Sequence, residues 1–457
     1  MTGKRMARRI ILALLLISVI GAVAFVALAW RTEIAAIEPP ARTSFDAQLV
    51  SRGAQLSAIG NCVVCHTAPS GRPYAGGYPV QTQFGTIYGT NITPDAETGI
   101  GRWSGVAFTR AMRKGVDRQG RHLYPAFPYD HFALLGDDDI QALYAFLMTR
   151  EPTRAKAPAN DVPFPLNIRM LIAGWKLLFL ENKRFQPDTA QSAEWNRGAY
   201  LTQGLGHCGA CHTPRNALGA EQKKHYLVGA DIEGWHAPAI NTASTAPVPW
   251  TADSLFQYLR FGASDQHAVA AGPMADVVQN LSRVPESEVR AIATYIAATM
   301  GAPDAQRQQR AQKALTTARA ASASMNVETT EADKHSRASK ESRLQTGAQL
   351  YAGSCATCHD ASSRPPGSPT DNALHLSLAS AVALPTPANL IRIILQGMAP
   401  PDGETGSFMP GFASEFTDAQ IVSLVSYLRA GYSDRGEWRD LEREVREARQ
   451  QAGNSKR

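Results

Sequence analysis

At 457 residues the chain has room for about two to four domains. Its formal net charge of +6 is spread along the sequence. No Lys/Arg block interleaves with aromatic residues, which excludes a nucleic-acid-binding reading. The six cysteines are the most informative part of the composition, because all of them fall into pairs.

The first element is the uncharged run IILALLLISVIGAVAFVALAW, Ile10 to Trp30. About 20 such residues span a bilayer. Lys4, Arg5, Arg8 and Arg9 precede it. The N-terminus is therefore expected in the cytoplasm, and everything after Trp30 on the outer, periplasmic side of the inner membrane. The alternative is a cleaved signal peptide, since Ala27-Leu28-Ala29 resembles a cleavage site. The run exceeds an ordinary signal core, which favours a retained anchor at 10–30.

Beyond the anchor one unit recurs three times. Each copy opens on a related helical segment: RGAQLSAIGNCVVCHT, RGAYLTQGLGHCGACHT and TGAQLYAGSCATCHD. The pairs Cys62/Cys65, Cys208/Cys211 and Cys355/Cys358 use every cysteine, and His66, His212 and His359 follow them at once. Cys-x-x-Cys-His is the attachment motif of haem c. The two thiols add to the two vinyl groups, and the histidine falls beneath the iron as proximal ligand. A tetrahedral zinc site would want four Cys/His ligands, usually on knuckles close in sequence. Here successive motifs lie 146 and 147 residues apart. Structural disulfides would need no histidine after every second cysteine.

Gly53, Gly198 and Gly347 sit at matching places in the opening segments and would allow close helix packing. Each copy closes on an amphipathic helix with an acidic or Thr start: DDDIQALYAFLMT, ESEVRAIATYIAATM and TDAQIVSLVSYLRA. An aromatic follows the first apolar residue of each by six positions, in Ile140/Phe146, Val289/Tyr295 and Ile421/Tyr427. The first two copies also share a middle helix, in which Trp103, Phe108, Arg113 and Gly115 match Trp250, Phe256, Arg260 and Gly262. The third has a shorter version, NLIRIILQG.

The expected fold is all-α, with three tandem cytochrome c domains at 44–152, 188–300 and 342–433 after an N-terminal transmembrane helix. Met170 to Leu180 is apolar but too short to span. It is expected either to pack between domains or to meet membrane or a partner. Residues 301–341 lack core-forming periodicity and read as a flexible linker. Residues 434–457 read as a charged helical tail, docked through the stripe Trp438, Leu441 and Val445.

An electron-carrying haem c is usually six-coordinate, and a distal methionine raises its potential. Each copy should therefore offer a sulfur on a loop between its middle and closing helices. Met274 fits in the second copy and Met409 in the third, with Met398 as a local alternative. Each could instead be an ordinary core methionine. In the first copy the same spacing lands on Phe127, within HLYPAFPYDHF, and phenylalanine cannot ligate iron. Met112 on the middle helix and His131 four residues beyond Phe127 are the candidates, Met148 a more distant one, and an open site is the third outcome.

The stretch GTIYGTNITPDAETGIGRWSG, with HLYPAFPYDHF and three Cys-x-x-Cys-His units, resembles the triheme cytochrome c subunits of bacterial membrane-bound dehydrogenases. The resemblance covers about residues 44 to 433. It implies three covalently bound haem c groups, with His66, His212 and His359 as proximal ligands and Met274 and Met409 matching the family's distal methionines. It also implies electrons arriving from a separate catalytic subunit that uses molybdenum, pyrroloquinoline quinone or flavin. They would leave to ubiquinone or a terminal oxidase. Phe127 departs from the alcohol-dehydrogenase branch, which carries methionine there, and looks more like cytochromes paired with molybdenum hydroxylases. On this reading the chain is no enzyme by itself. Two other readings are a peroxidase-like enzyme using an open iron in the first copy, and a cytochrome subunit of a terminal oxidase.

Overall fold

The computed structural model describes residues 2–320, 334–359, 375–398 and 408–455. They form two compact units. The first comprises Met1–Pro187, Gln203–His207 and Arg215–Ala220, and the second Asp188–Thr202, Cys208–Pro214 and Glu221–Arg457.

The first unit opens on α1 (Thr2–Ala29), whose stretch Arg5–Ala29 has a mean hydropathy of 3.0 and is long and apolar enough to cross a membrane. Its exit is tied down. Ile34 N–H donates to Arg118 O (2.9 Å), Ile37 N–H to Arg102 O (3.1 Å), and the Arg110 guanidinium to Thr32 O (2.8 Å). Next comes α2 (Ala47–Ile59), started by Asp46, whose carboxylate accepts from Leu49 N–H. One turn, α3 (Cys62–Cys65), carries the first cysteine pair. An antiparallel hairpin of β1 (Pro79–Thr82) and β2 (Gly85–Tyr88) follows. α4 (Gly105–Lys114) runs from a Ser104 cap to Gly115 in the left-handed region. After α5 (Tyr129–Phe132) comes α6 (Asp137–Met148), which has three aspartates in its first turn, where the helix dipole favours them. The last element, α7 (Ile172–Phe179), lies in the apolar segment.

The second unit contains two related helical arrangements. The first has α8 (Ala193–Gln203), α9 (Gly209–His212), the hairpin β3 (Ala230–Ile232) with β4 (Trp235–Ala237), and α10 (Ala252–Phe261). It continues through a small hairpin, β5 (Ala263–Ser264) with β6 (Ala268–Val269), to α11 (Pro273–Leu281) and α12 (Glu286–Met300). The second has α13 (Ala305–Ala320), α14 (Lys334–Ser354), α15 (Ala356–His359), α16 (Ser380–Ala383), α17 (Ala388–Gln396), α18 (Asp418–Tyr432) and α19 (Leu441–Ser455).

One helix crossing occurs three times. A Cβ on Gly53 would overlap Ala142 O and lie 2.6 Å from Phe146 Cβ. One on Gly198 would overlap Ala291 O and lie 2.8 Å from Tyr295 Cβ, and one on Gly347 would overlap Ser423 O and lie 2.6 Å from Tyr427 Cβ. The opening helix of each copy thus rests on the backbone of the closing helix, beside the aromatic residue that the sequence aligns. An ion pair repeats with the crossing: Arg52 to Asp139 (2.6 Å) and Arg197 to Glu288 (2.7 Å). Each arginine precedes the glycine, and each acid lies one turn before the carbonyl it meets. The third copy has Thr346 and Gln420 at these places, and Gln420 instead completes a capping box with Thr417.

Three expectations change. The fold is mostly helical but not all-α, because among the described residues three two-stranded hairpins interrupt it. Their strands of two to four residues are too short for alternation to stand out in the sequence. Of the expected linker 301–341, residues 321–333 lie outside the described part, while Ala305–Ala320 and the residues from Lys334 are helical. The segment Ala305–Ala320 is helical, with Ala311 buried, because its Ala, Gln, Arg and Lys are strong helix formers even without an apolar stripe. Met274 lies in the first turn of α11 rather than on a loop, with Pro273 starting the helix. In the tail, Trp438, Leu441 and Val445 join the core of α17 and α18. There Trp438 Nε1–H donates to Leu384 O (3.0 Å), and the Arg429 guanidinium lies 4.1 Å from the indole ring centre.

Candidate haem sites

None of the six cysteines is in a disulfide, and each pair sits across one helical turn. That turn is closed by the histidine's own backbone. His66 N–H donates to Cys62 O (3.1 Å), His212 N–H to Cys208 O (3.0 Å) and His359 N–H to Cys355 O (2.9 Å). Burial pushes the Cys62 thiol up to about 11, Cys208 to about 12 and Cys355 to about 11. These surroundings disfavour the thiolate that a zinc site needs. An uncharged thioether suits them.

Two of the imidazoles are fixed in one tautomer. His66 Nδ1–H donates to Thr90 O (2.6 Å) and His212 Nδ1–H to Pro238 O (2.7 Å). Since a carbonyl only accepts, each Nε2 keeps its lone pair, the form a metal requires. Burial also lowers the pKa of both rings, which keeps them neutral. The two carbonyls lie just past β2 and β4, so each of these two hairpins presents one oxygen to the histidine of a Cys-x-x-Cys-His turn. A second bond repeats as well, from Gly76 N–H to His66 O (2.7 Å) and from Gly229 N–H to His212 O (2.8 Å). These partners went unread because their spacing from the histidine differs between copies. The shared Gly-rich approach to each hairpin, AGGYP and VGADI, is the signal that could have found them. In the third copy the residues after His359, 360–374, lie outside the described part.

The distal candidates differ in setting. Met274 is half-buried at the start of α11, next to Gly272, against which the Trp235 indole packs. Met409 is half-buried against the core of the third copy and pairs with Met398 through two backbone hydrogen bonds of 2.8 Å. Both third-copy candidates therefore stand side by side. Met112 is buried on the inner face of α4 with Phe108 and Ala111. His131 is buried too, but its Nδ1–H is held by Gln203 O (2.7 Å) and its ring lies edge-on to His207. Phe127 packs edge-on against Phe132 and Tyr129. Met148 is buried at the end of α6.

Paired thiols on a single turn, followed by a histidine whose Nε2 keeps its lone pair, define a c-type cytochrome. Comparison with known proteins agrees. Residues 50–151 match the cytochrome c family model, and residues 342–428 match that of "Cytochrome C oxidase, cbb3-type, subunit III". Over 408 residues the chain is 37% identical to the gluconate 2-dehydrogenase cytochrome c subunit of Pantoea cypripedii, covering 84% of this chain and 86% of that one. It is 35% identical over 399 residues to the fructose dehydrogenase cytochrome subunit of Gluconobacter japonicus, covering 84% and 79%. A nicotinate dehydrogenase subunit of Pseudomonas putida is 44% identical over 436 residues, which are 94% of this chain but only 34% of that protein. The chain thus spans about a third of the length of that relative. The protein belongs to the family of dehydrogenase cytochrome c subunits, the electron-transfer components of such complexes rather than their catalysts.

Proposed function

We propose that the chain carries three haem c groups, one on each Cys-x-x-Cys-His turn, in three tandem cytochrome c domains at 44–152, 188–300 and 342–433. The threefold recurrence of one helix crossing beside one ligand turn carries this reading. Haem c, when bound, supplies a one-electron iron couple. The chain's residues supply the rest. Cys62, Cys65, Cys208, Cys211, Cys355 and Cys358 fix position. His66, His212 and His359 are the proximal ligands, and the Thr90 and Pro238 carbonyls aim the first two. Met274, Met409 and Met112 are the distal ligands. Met112 is preferred to His131 because the His131 ring is already held by the Gln203 carbonyl. Saturated irons leave no room for peroxide chemistry, and the family comparison also favours electron transfer over a haem enzyme.

The electrons come from a catalytic dehydrogenase subunit and pass to ubiquinone or a terminal oxidase, on the periplasmic side of the inner membrane, with α1 as anchor. Among molybdenum-, pyrroloquinoline quinone- and flavin-dependent partners, Phe127 and the likeness to the nicotinate dehydrogenase subunit support a molybdenum hydroxylase. Its substrate class would be N-heterocycles or aldehydes. The test is purification from detergent-solubilised membranes. Three haem masses on the mature chain, a haem-stained band and stoichiometric molybdenum in the co-purifying subunit are expected. Fewer than three haems would overturn the triheme reading, and a molybdenum-free partner would overturn the branch assignment.

A further inference from the structure

The first unit presents an apolar face that nothing in that unit covers. Phe164, Leu177 and Leu178 are 78%, 64% and 70% exposed, and Leu171 and Leu218 are exposed beside them. The Trp175 indole N–H joins two parts of this face by donating to Leu218 O (2.9 Å). Single exposed leucines need no explanation, but several along one short helix and the segment leading into it do.

What the face meets follows from its fastening to α1. A Cβ added to Gly174 of α7 would come within 3.6 Å of the Phe25 ring, which belongs to the apolar run of α1, so α7 packs close to the span. His122 Nε2–H donates to Ala29 O at the end of α1 (2.8 Å), and its Nδ1 accepts from the Lys176 ammonium (3.1 Å). The same ammonium donates to Lys114 O (2.7 Å) and Gly115 O (2.6 Å), the open carbonyl end of α4. Lys176, the one charge within α7, is thus turned inward. It pins the helix to the unit and leaves the outward side to leucine. The segment after α1 is bonded to the unit at Thr32, Ile34 and Ile37, so the end of α1 is tied to the same unit as α7. Trp30, 65% exposed, stands at the end of the span, where interfacial aromatics sit.

We infer that α7 and the Phe164–Leu171 segment lie in the headgroup–acyl boundary of the bilayer, a second membrane contact beside α1. This rests on α1 being a retained span. A helix touching Phe25 sits within a few residues of the hydrocarbon edge, where its leucines meet acyl chains and not water. The contact holds the haem unit at a fixed height and tilt.

The full haem-loaded chain, in vesicles of phosphatidylethanolamine and phosphatidylglycerol with a diazirine on the acyl chain, is photolysed and its labelled peptides are mapped. Peptides covering Phe164 and Leu177–Leu178 are expected to be labelled along with α1. The peptide bearing Val106, equally exposed (70%) but at the far end of α4, should stay unlabelled. A Leu177→Glu/Leu178→Glu chain should lose label on α7 and keep it on α1. Label on α1 alone overturns the inference and leaves the anchor reading standing; label on neither overturns both. Label on α7 that vanishes once the dehydrogenase complex assembles assigns the face to the protein partner and overturns the lipid assignment.

Discussion

His131 and Met112 are both buried near the YPAFPY loop, yet their attachments differ. The His131 ring is held by the backbone of Gln203, so swinging toward an iron would cost a buried hydrogen bond, about 1 kcal/mol net. The Met112 thioether has no such tie and sits on a helix face. Met112→Ala is therefore expected to turn one haem of three high-spin in the oxidised optical and electron paramagnetic resonance spectra. His131→Ala should leave all three low-spin. The reverse pattern would make the first haem bis-histidine.

His267 gives a different prediction, again from a single side chain. It is fully buried, stacked on Trp250 at 3.7 Å, with Nδ1 bonded to Ser264 Oγ (2.9 Å), Nε2 facing Pro249 O, and its own carbonyl accepting from Ser380 N–H. Burial pushes its pKa down from 6.5 to about 4. The unfolded chain takes up the proton near pH 6.5 and the folded one only near pH 4. Between these values the unfolded state binds more protons, so stability falls as pH drops; above 6.5 the contribution is complete. The loss is capped at about 3 kcal/mol. His267→Gln, which does not titrate, should flatten the acid limb of guanidinium unfolding curves measured across this window. An unchanged acid limb would show that His267 is not the group responsible.

Among the helices and hairpins, the crossing glycines mattered more than any cap. Three Gly-Ala pairs aligned on three haem motifs made them legible, and the closing aromatics were legible by the same alignment. Their mutual contact was not, because pairing two helices requires knowing which faces meet. Gly53→Ala must push α2 away from the Ala142 carbonyl and the Phe146 Cβ. Overpacking of this kind costs about 1–3 kcal/mol. Thermal unfolding should show that cost, and the displaced α3 turn should lower haem content at Cys62/Cys65 alone. A neutral effect on both would mean that the helices slide freely. The hairpins stayed hidden for a different reason: the first two are held by the histidine whose Nδ1–H they accept and by neighbouring backbone, not by a pattern of their own. β4 is also clasped by α17, where Asn389 accepts from His236 N–H (2.7 Å) and donates to His236 O (2.9 Å). Only tertiary structure brings residues 153 positions apart together in this way.

Across the full chain, the cysteine turns, the repeat and the long apolar helix could all be read from spacing, since covalent haem attachment and bilayer thickness both demand fixed residue counts. For Met170–Leu180 the sequence left packing between domains and contact with membrane or a partner both open, because Lys176 interrupts the apolar run and only the fold turns it inward. A chain that conducts and does not catalyse has a consequence for the assembled complex. On the triheme reading, Cys62→Ser/Cys65→Ser, Cys208→Ser/Cys211→Ser and Cys355→Ser/Cys358→Ser would each delete one carrier and leave the partner's chemistry untouched. If the three haems act in series, every one of these chains should abolish quinone reduction while substrate oxidation with a small artificial acceptor at the catalytic subunit persists. A branched arrangement would spare one of them. Undiminished quinone reduction in all three would mean that electrons bypass this subunit.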